Sequence, residues 1–207
     1  MKTFAPANIL LPKNVNFEKW AVIACDQFTS QPEYWKRVRE NVGEAVSTLN
    51  LVFPEAELNV DRAERIKSIN ENMEKYLAED IFTEYKDAYV YVERTLKNGV
   101  VRKGIVGVID LEQYDYNADS KSAIRATEQT VLERIPPRVE IRRNASMELP
   151  HVLLLCDDEK ERIIESLTAK KAELPKIYDF DLMEGGGHIE GYLLQGAEVD
   201  AINQAIA

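Results

Sequence analysis

The dipeptide Asn98-Gly99, set between two apolar runs, constrains the fold of this chain more than any other feature. Asn and Gly both tolerate the positive φ that a tight hairpin demands. The flanking runs, Ala88–Val92 and Val100–Ile109, are therefore expected to pair as antiparallel strands. The turn should hold two residues, with the strands ending near Leu96 and resuming near Val101.

Other elements follow from period and punctuation. Asp61 precedes a helical repeat of Ile66, Ile69, Met73, Tyr76 and Leu77, and reads as its N-cap. Ser30 and Glu33 form a capping-box pattern ahead of Tyr34, Val38 and Val42, with Gly43 as the stop. Three short apolar runs, Ala21–Cys25, Leu49–Phe53 and His151–Cys156, read as buried strands. Asp157-Asp158 leads a helix through Ile163, Ile164 and Leu167, and Ile177–Leu182 alternates as a strand does. Gly185–Gly187 should turn the chain into a strand over Ile189–Leu194, with at least one glycine at positive φ. Ala197–Ala207 reads as a closing helix. The expected fold class is α/β (mixed α+β): a mixed sheet with at least one β-hairpin and flanking helices. A chain of 207 residues buries roughly 70% of its unfolded surface without staples. It is expected to form one compact region over 1–207, any internal boundary falling near 145–150.

Composition removes several classes of function. With 45% hydrophobic and 30% charged residues, the chain is not of the disordered type. A net charge of −10 disfavours general binding to nucleic acid or anionic membrane. No apolar stretch approaches the roughly 20 residues of a membrane helix. Pro6, Asn8, Pro12 and Asn14 interrupt the N-terminus, so a signal peptide is not expected and the location should be cytoplasmic. Cys25 and Cys156 end apolar runs and read as buried free thiols. Together with His151 and His188 they show no zinc spacing, and no metal site is expected.

Three segments could carry chemistry. Five of the twelve arginines lie between Arg125 and Arg143, and Lys121–Arg143 carries a charge of +3 against −13 for the remainder. Arg125, Arg134 and Arg138 would grip phosphate or carboxylate bidentately, with Thr127 and Thr130 as added donors. The same residues also read as structural pairs with Glu128, Glu133 and Glu140. In Cys25–Ser30, a strand is expected to hand over to a helix N-terminus, where Asp26 would serve as base or ion ligand and Ser30 as anion donor or plain cap. In Glu184–His188, three glycines would admit close approach of a ligand at Gly186, with His188 available for proton transfer. An incidental histidine on a hairpin turn explains that segment equally well.

Four stretches together resemble one family: Trp20–Trp35, the run Arg125-Ala-Thr-Glu-x-Thr-Val-x-x-Arg134-Ile-Pro-Pro-Arg138, Leu149-Pro-His-Val-Leu-Leu-Leu155, and Met183-Glu-Gly-Gly-Gly-His-Ile-x-Gly191. The family is a bacterial and archaeal one of unknown function, numbered ten-fifteen. It is distantly similar to the ParB, sulfiredoxin and free-serine-kinase superfamily. The resemblance implies a ParB/sulfiredoxin-like element and nucleotide binding. Members are about twice this length, so the resemblance also implies that the chain is the N-terminal part of a longer protein. Neither the sulfiredoxin Cys-His-Arg signature nor the ParB Gly-Glu-Arg-Arg box is present, so neither activity carries over.

The expected partner is a small phosphate-bearing molecule or nucleotide, with ATP or ADP and magnesium as cofactors if the chain is a small-metabolite phosphotransferase. Asp26, Glu128 and His188 are then the catalytic candidates. Arg125, Thr127, Thr130, Arg134, Arg138, Ser30 and Gly186 are the binding candidates. The alternative is a non-catalytic module that uses the same arginines on an acidic ligand or protein partner.

Overall fold

The computed structural model describes residues 3–57, 61–117, 119–127 and 131–206. Strand β1 (Phe4–Ala5) leads into β2 (Ala7–Pro12), and the Asn16 side chain caps a single turn, α1 (Phe17–Trp20). Pro32 opens α2 (Pro32–Val42), where its missing N–H is no loss, and Gly43 at φ 57° ends it. After a 3₁₀ turn over Thr48–Leu51, Asp61 caps α3 (Arg62–Ala78) by accepting from the Glu64 N–H. Strands β3 (Phe82–Thr95), β4 (Val101–Val106) and β5 (Val108–Ile109) follow, then β6 (Tyr114–Asp115) and β7 (Ile124–Arg125), which form a short parallel pair. Helix α4 (Ile135–Arg142) carries Pro136 and Pro137 in its first turn, where prolines are tolerated. Helix α5 (Ile164–Lys170), strands β8 (Lys176–Leu182) and β9 (Gly187–Leu194), and helix α6 (Ala197–Ile206) complete the chain. The class is mixed α and β, as expected. No helix among the described residues is long and apolar enough to cross a membrane.

The main sheet runs β2-β3-β9-β8, with β4 also on β3, and each of these pairings is antiparallel. Strand β3 is long because it serves three partners: its first half pairs with β2, its second with β4 and β9. Alternation along these strands sorts the two faces. On one face, Tyr89 and Tyr91 of β3 and Tyr192 and Leu194 of β9 pack against Leu167 of α5 and Val199 and Ile202 of α6. On the other, Phe17 of α1 stacks on Phe180 of β8, with centroids 5.4 Å apart. Two further clusters surround α3 (Trp20, Leu51, Phe53, Ile69, Met73) and α2 (Tyr34, Trp35, Val38, Val42, Leu49).

The hairpin forms where the Asn-Gly signal placed it, but its loop is longer. Leu96 N–H donates to the Val100 carbonyl and Gly99 N–H to the Leu96 carbonyl, at 2.8 and 2.9 Å. Residues 97–99 thus form a three-residue loop, and Gly99 supplies the left-handed step at φ 81°. The glycine turn between β8 and β9 also matches expectation, with Gly185 at φ 66° and Gly187 at φ 95°.

The three short apolar runs do not join the sheet. Residues 21–24 belong to no helix or strand, and Leu49–Leu51 fall in the 3₁₀ turn. His151–Cys156 has no regular structure, and Leu153 and Leu155 are 84% and 85% exposed. Runs of five or six apolar residues carry no period that separates strand from coil packed under a helix. Cys156 is consequently an exposed free thiol, whereas Cys25 is half-buried and also free.

Two glycines that both have positive φ should respond differently to alanine. A Cβ on Gly99 meets open space, whereas one on Gly187 would sit 2.2 Å from the Thr95 carbonyl oxygen. In urea unfolding, Gly99→Ala should cost about 1–2 kcal/mol for the left-handed conformation alone. Gly187→Ala should cost at least about 2 kcal/mol more, because backbone must move. Equal losses would refute the close approach.

Candidate functional site

Residues 21–26 form an irregular strip between α1 and α2, tethered by the 48–55 stretch. The Thr48 hydroxyl accepts from Val22 N–H at 3.3 Å and donates to the Trp20 carbonyl at 2.7 Å. The Cys25 carbonyl accepts from Glu55 N–H at 2.8 Å. Each end of the strip borders a different cavity.

At the Cys25–Asp26 end the strip meets α4. Arg138 donates through Nη2 to Glu55 Oε1 at 2.8 Å, and the same nitrogen lies 3.8 Å from Asp26 Oδ2. Two residues singled out independently, Asp26 and Arg138, are thereby brought together. The hydrogen bond to Glu55 holds the Arg138 guanidinium firmly charged. Burial, with Asp26 and Glu55 adding to it, pushes the Cys25 thiol up and away from the reactive thiolate form. One helical turn on, Arg142 pairs with Glu148. Arg138, Arg142 and Arg143 line a concavity of about 350 Å³ together with Ile135 and Val139. Arg143 makes no ion pair or hydrogen bond with another described residue.

The other predicted anion ligands lie elsewhere. Arg125 ends β7 opposite Asp115, and Arg134 sits in the 3₁₀ turn before α4; both are exposed and neither lines the concavity. Thr127 and Ser30 are exposed. Glu128 and Thr130 lie outside the described residues. Ser30 does not cap α2: the N-cap position falls to Gln31, because Pro32 starts the helix. Of the expected acidic partners, Glu140 is taken by Arg62 at 2.8 Å rather than by a neighbouring arginine.

At its other end, residues 21–24 face the glycine loop across a cavity of about 200 Å³, which Tyr34, Arg94 and Gly186 also line. Arg94 donates through Nε and Nη2 to the Gly186 carbonyl, at 3.3 and 2.8 Å. Gly186 therefore borders a cavity, as the glycine run suggested, while His188 belongs to the opposite face of the sheet.

On that face the β8/β9 register sets Asp181 opposite His188 and Asp179 opposite Glu190. The imidazole lies between two carboxylates, Nδ1 at 2.8 Å from Asp181 and Nε2 at 2.9 Å from Asp179. Asp179, His188 and Glu190 offer ligand atoms within 4.8 Å of one another, a spacing that could hold a divalent ion. The group already has internal cations: Lys176 bridges Asp179 and Glu190, and Lys171 bridges Glu190 and Glu93. Those ammonium groups pull the Glu190 carboxyl down to about 2. The sequence offers no Cys/His metal spacing, and the one carboxylate it marks as a possible ion ligand, Asp26, lies elsewhere. The Asp-x-Asp and His-x-Glu alternation across the glycine turn is the signal that marks this grid. Glu55, Arg142, Arg94 and Tyr34 were also missed; only Arg142, one turn from Arg138, had a sequence cue.

The hydrogen bond that the imidazole donates to Asp181 holds the His188 pKa above its ordinary value, with the charge of Asp179 acting in the same direction. A raised folded-state pKa gives stability that is fully present below about pH 6.5 and lost as pH rises through the folded value. Unfolding midpoints should therefore fall as pH is taken from about 6 to 8, and His188→Gln should flatten that slope. An NMR titration placing His188 at or below the free-histidine value would contradict the arrangement.

Comparison with curated proteins and comparison with solved structures each returned no match. One family model matches residues 6–207, and it spans the strip, the α4 arginines and the glycine turn alike. The chain therefore belongs to the family described as "Protein of unknown function (DUF1015)".

Proposed function

We propose that the protein binds a small phosphate-bearing molecule, of the nucleotide class, on the arginine face of α4 beside Asp26. The observation that carries this reading is the meeting of Asp26 with Arg138 next to a concavity that Arg142 and Arg143 share. A phosphate needs several positive forks; Arg138 and Arg142 would exchange Glu55 and Glu148 for it, while the arginine stems with Ile135 and Val139 form an apolar wall beside them. The phosphate would compete with Glu55 for Arg138 and would find Arg143 free of described partners. If the bound species is ATP or ADP with magnesium, Asp26 and Glu55 are the carboxylates placed to hold the ion, and magnesium would neutralise charge on the transferring phosphoryl group. Asp26 is also the group on this face placed to accept a proton from an acceptor hydroxyl.

A second reading, a module that grips an acidic protein partner, draws on one further observation. Apolar side chains in and near the arginine-rich segment are uncovered, Leu132 and Val152 at 73% and 77% exposure. Magnesium separates the two readings, since a nucleotide site should bind more tightly with the ion and a peptide surface should be indifferent.

Calorimetric titration with ATP, ADP and inorganic phosphate, with and without magnesium, tests the proposal. Arg138→Ala and Arg143→Ala should each weaken nucleotide binding about tenfold to a hundredfold, the value of one charge-assisted hydrogen bond. Binding that survives both substitutions, or that is absent with and without magnesium, would remove the α4 site.

A further inference from the structure

We infer that the cavity between residues 21–24 and the glycine loop is a binding site for a small organic monocarboxylate with an apolar body. The case starts from Tyr34, which lines the cavity, is only 6% exposed, and makes no hydrogen bond through its hydroxyl to another described residue. The hydroxyl oxygen is not among the buried polar atoms left without a partner, so it is open to the cavity and can donate to an acceptor there. Burial pushes its pKa up, which keeps it a donor at neutral pH.

Arg94 supplies the charge. It lies on the sheet face away from His188, since its β9 partner is Ile189, and Ile189 lines the same cavity. Two of its nitrogens are fixed on the Gly186 carbonyl, which orients the guanidinium and leaves N–H donors over. No described carboxylate pairs with Arg94, whereas Arg37 is taken by Glu184 at 2.8 Å. The amides of Ile23 and Ala24, both in the cavity lining, likewise donate to no other described residue. One guanidinium without a carboxylate, one phenol and two amides are thus donors that a ligand in the cavity can engage in place of water.

Charge and size narrow the ligand. A single cation matches a carboxylate, whereas a phosphate monoester would bring about −1.5 to −2. A cavity of about 200 Å³ has the volume of about seven liquid waters. That suits a small acid and lies below the roughly 300–1,000 Å³ of pockets that take drug-sized ligands. Val22, Leu182, Met183 and Ile189 present apolar side chains for its body. This site shares no residue with the α4 concavity, so it stands or fails independently of the nucleotide reading.

Ligand-observed NMR and calorimetry with isovalerate, benzoate and phenylacetate, each against its neutral amide, test the inference. The acids should bind with dissociation constants of about 1 mM or tighter, and the amides at least about tenfold more weakly. Tyr34→Phe removes only the hydroxyl and should weaken the acids about tenfold while leaving the unfolding midpoint unchanged. Arg94→Lys keeps the charge but loses the fork, and should weaken them further. Amides that bind as well as acids, an unaltered affinity in Tyr34→Phe, or no binding by any of the three acids would each overturn it. If a phosphate monoester of similar size bound more tightly than the acids, the assignment to carboxylates would be wrong.

Discussion

Seven residue pairs join β3 to β9, from Tyr89 opposite Leu194 to Thr95 opposite His188. Because side chains alternate along a strand, that one ladder settles three things at once. Odd-numbered β3 residues Tyr89 and Tyr91 line up with Tyr192 and Leu194 and build the core under α5 and α6. The same row continues outward as Glu93 beside Glu190 and Thr95 beside His188, so the aromatic core grades into a charged field without a break. The even-numbered residue Arg94 is sent to the opposite face, against Ile189 and the glycine loop. A slip of one residue would exchange the guanidinium for a carboxylate or a threonine and remove the cation from the cavity beside the glycine loop.

The charged end of that row is an energetic commitment. Glu93 is 8% exposed, and a carboxylate so placed must be paired. Lys171 meets it at 2.6 Å and the Tyr91 hydroxyl donates to it at 2.6 Å, while Thr168 holds the phenol from the other side. Burial and this hydrogen bond to Glu93 push the Tyr91 pKa far up, so the phenol stays a donor. Lys171 also reaches Glu190, and Lys176 carries the network on to Asp179 and the histidine. Each carboxylate in the row therefore already has a cation against it, the physical reason His188 sits within a structural network while Tyr34 and Arg94 do not.

Much of this frame could be read directly from the residues. The Asn-Gly hairpin, the Asp61 cap, the Gly43 stop and the glycine turn between β8 and β9 all rest on local backbone chemistry, which the sequence carries in full. The runs at 21–25, 49–53 and 151–156 failed for the opposite reason, since burial in a sheet depends on a neighbour that no local pattern names. The sites divide in the same way. Asp26, Arg138 and Gly186 were each visible as unusual residues, but Asp26 with Arg138, and Gly186 with Arg94, are partnerships made by the fold. Tyr34 reads as a core position at helical spacing, and it is one; only the cavity beside it shows that its hydroxyl has been left over.

Stability and binding are carried by different parts of the molecule. Arg138 and Glu55 form a half-exposed pair, and pairs of that kind contribute at most about 1 kcal/mol. Arg143 has no described partner to lose. The fold rests instead on the aromatic and aliphatic clusters: Trp35, Tyr89 and Tyr91 are fully buried, and each such side chain is worth roughly 1.5–3 kcal/mol in transfer alone. Arginines held by such weak ties are poorly explained as structural supports. An acidic chain that gathers them on one helix, beside Asp26, spends side-chain entropy and charge repulsion there, and little in the folded structure returns it. A ligand anion would compensate both, and substitutions at these arginines can be read as effects on binding because folding scarcely depends on them.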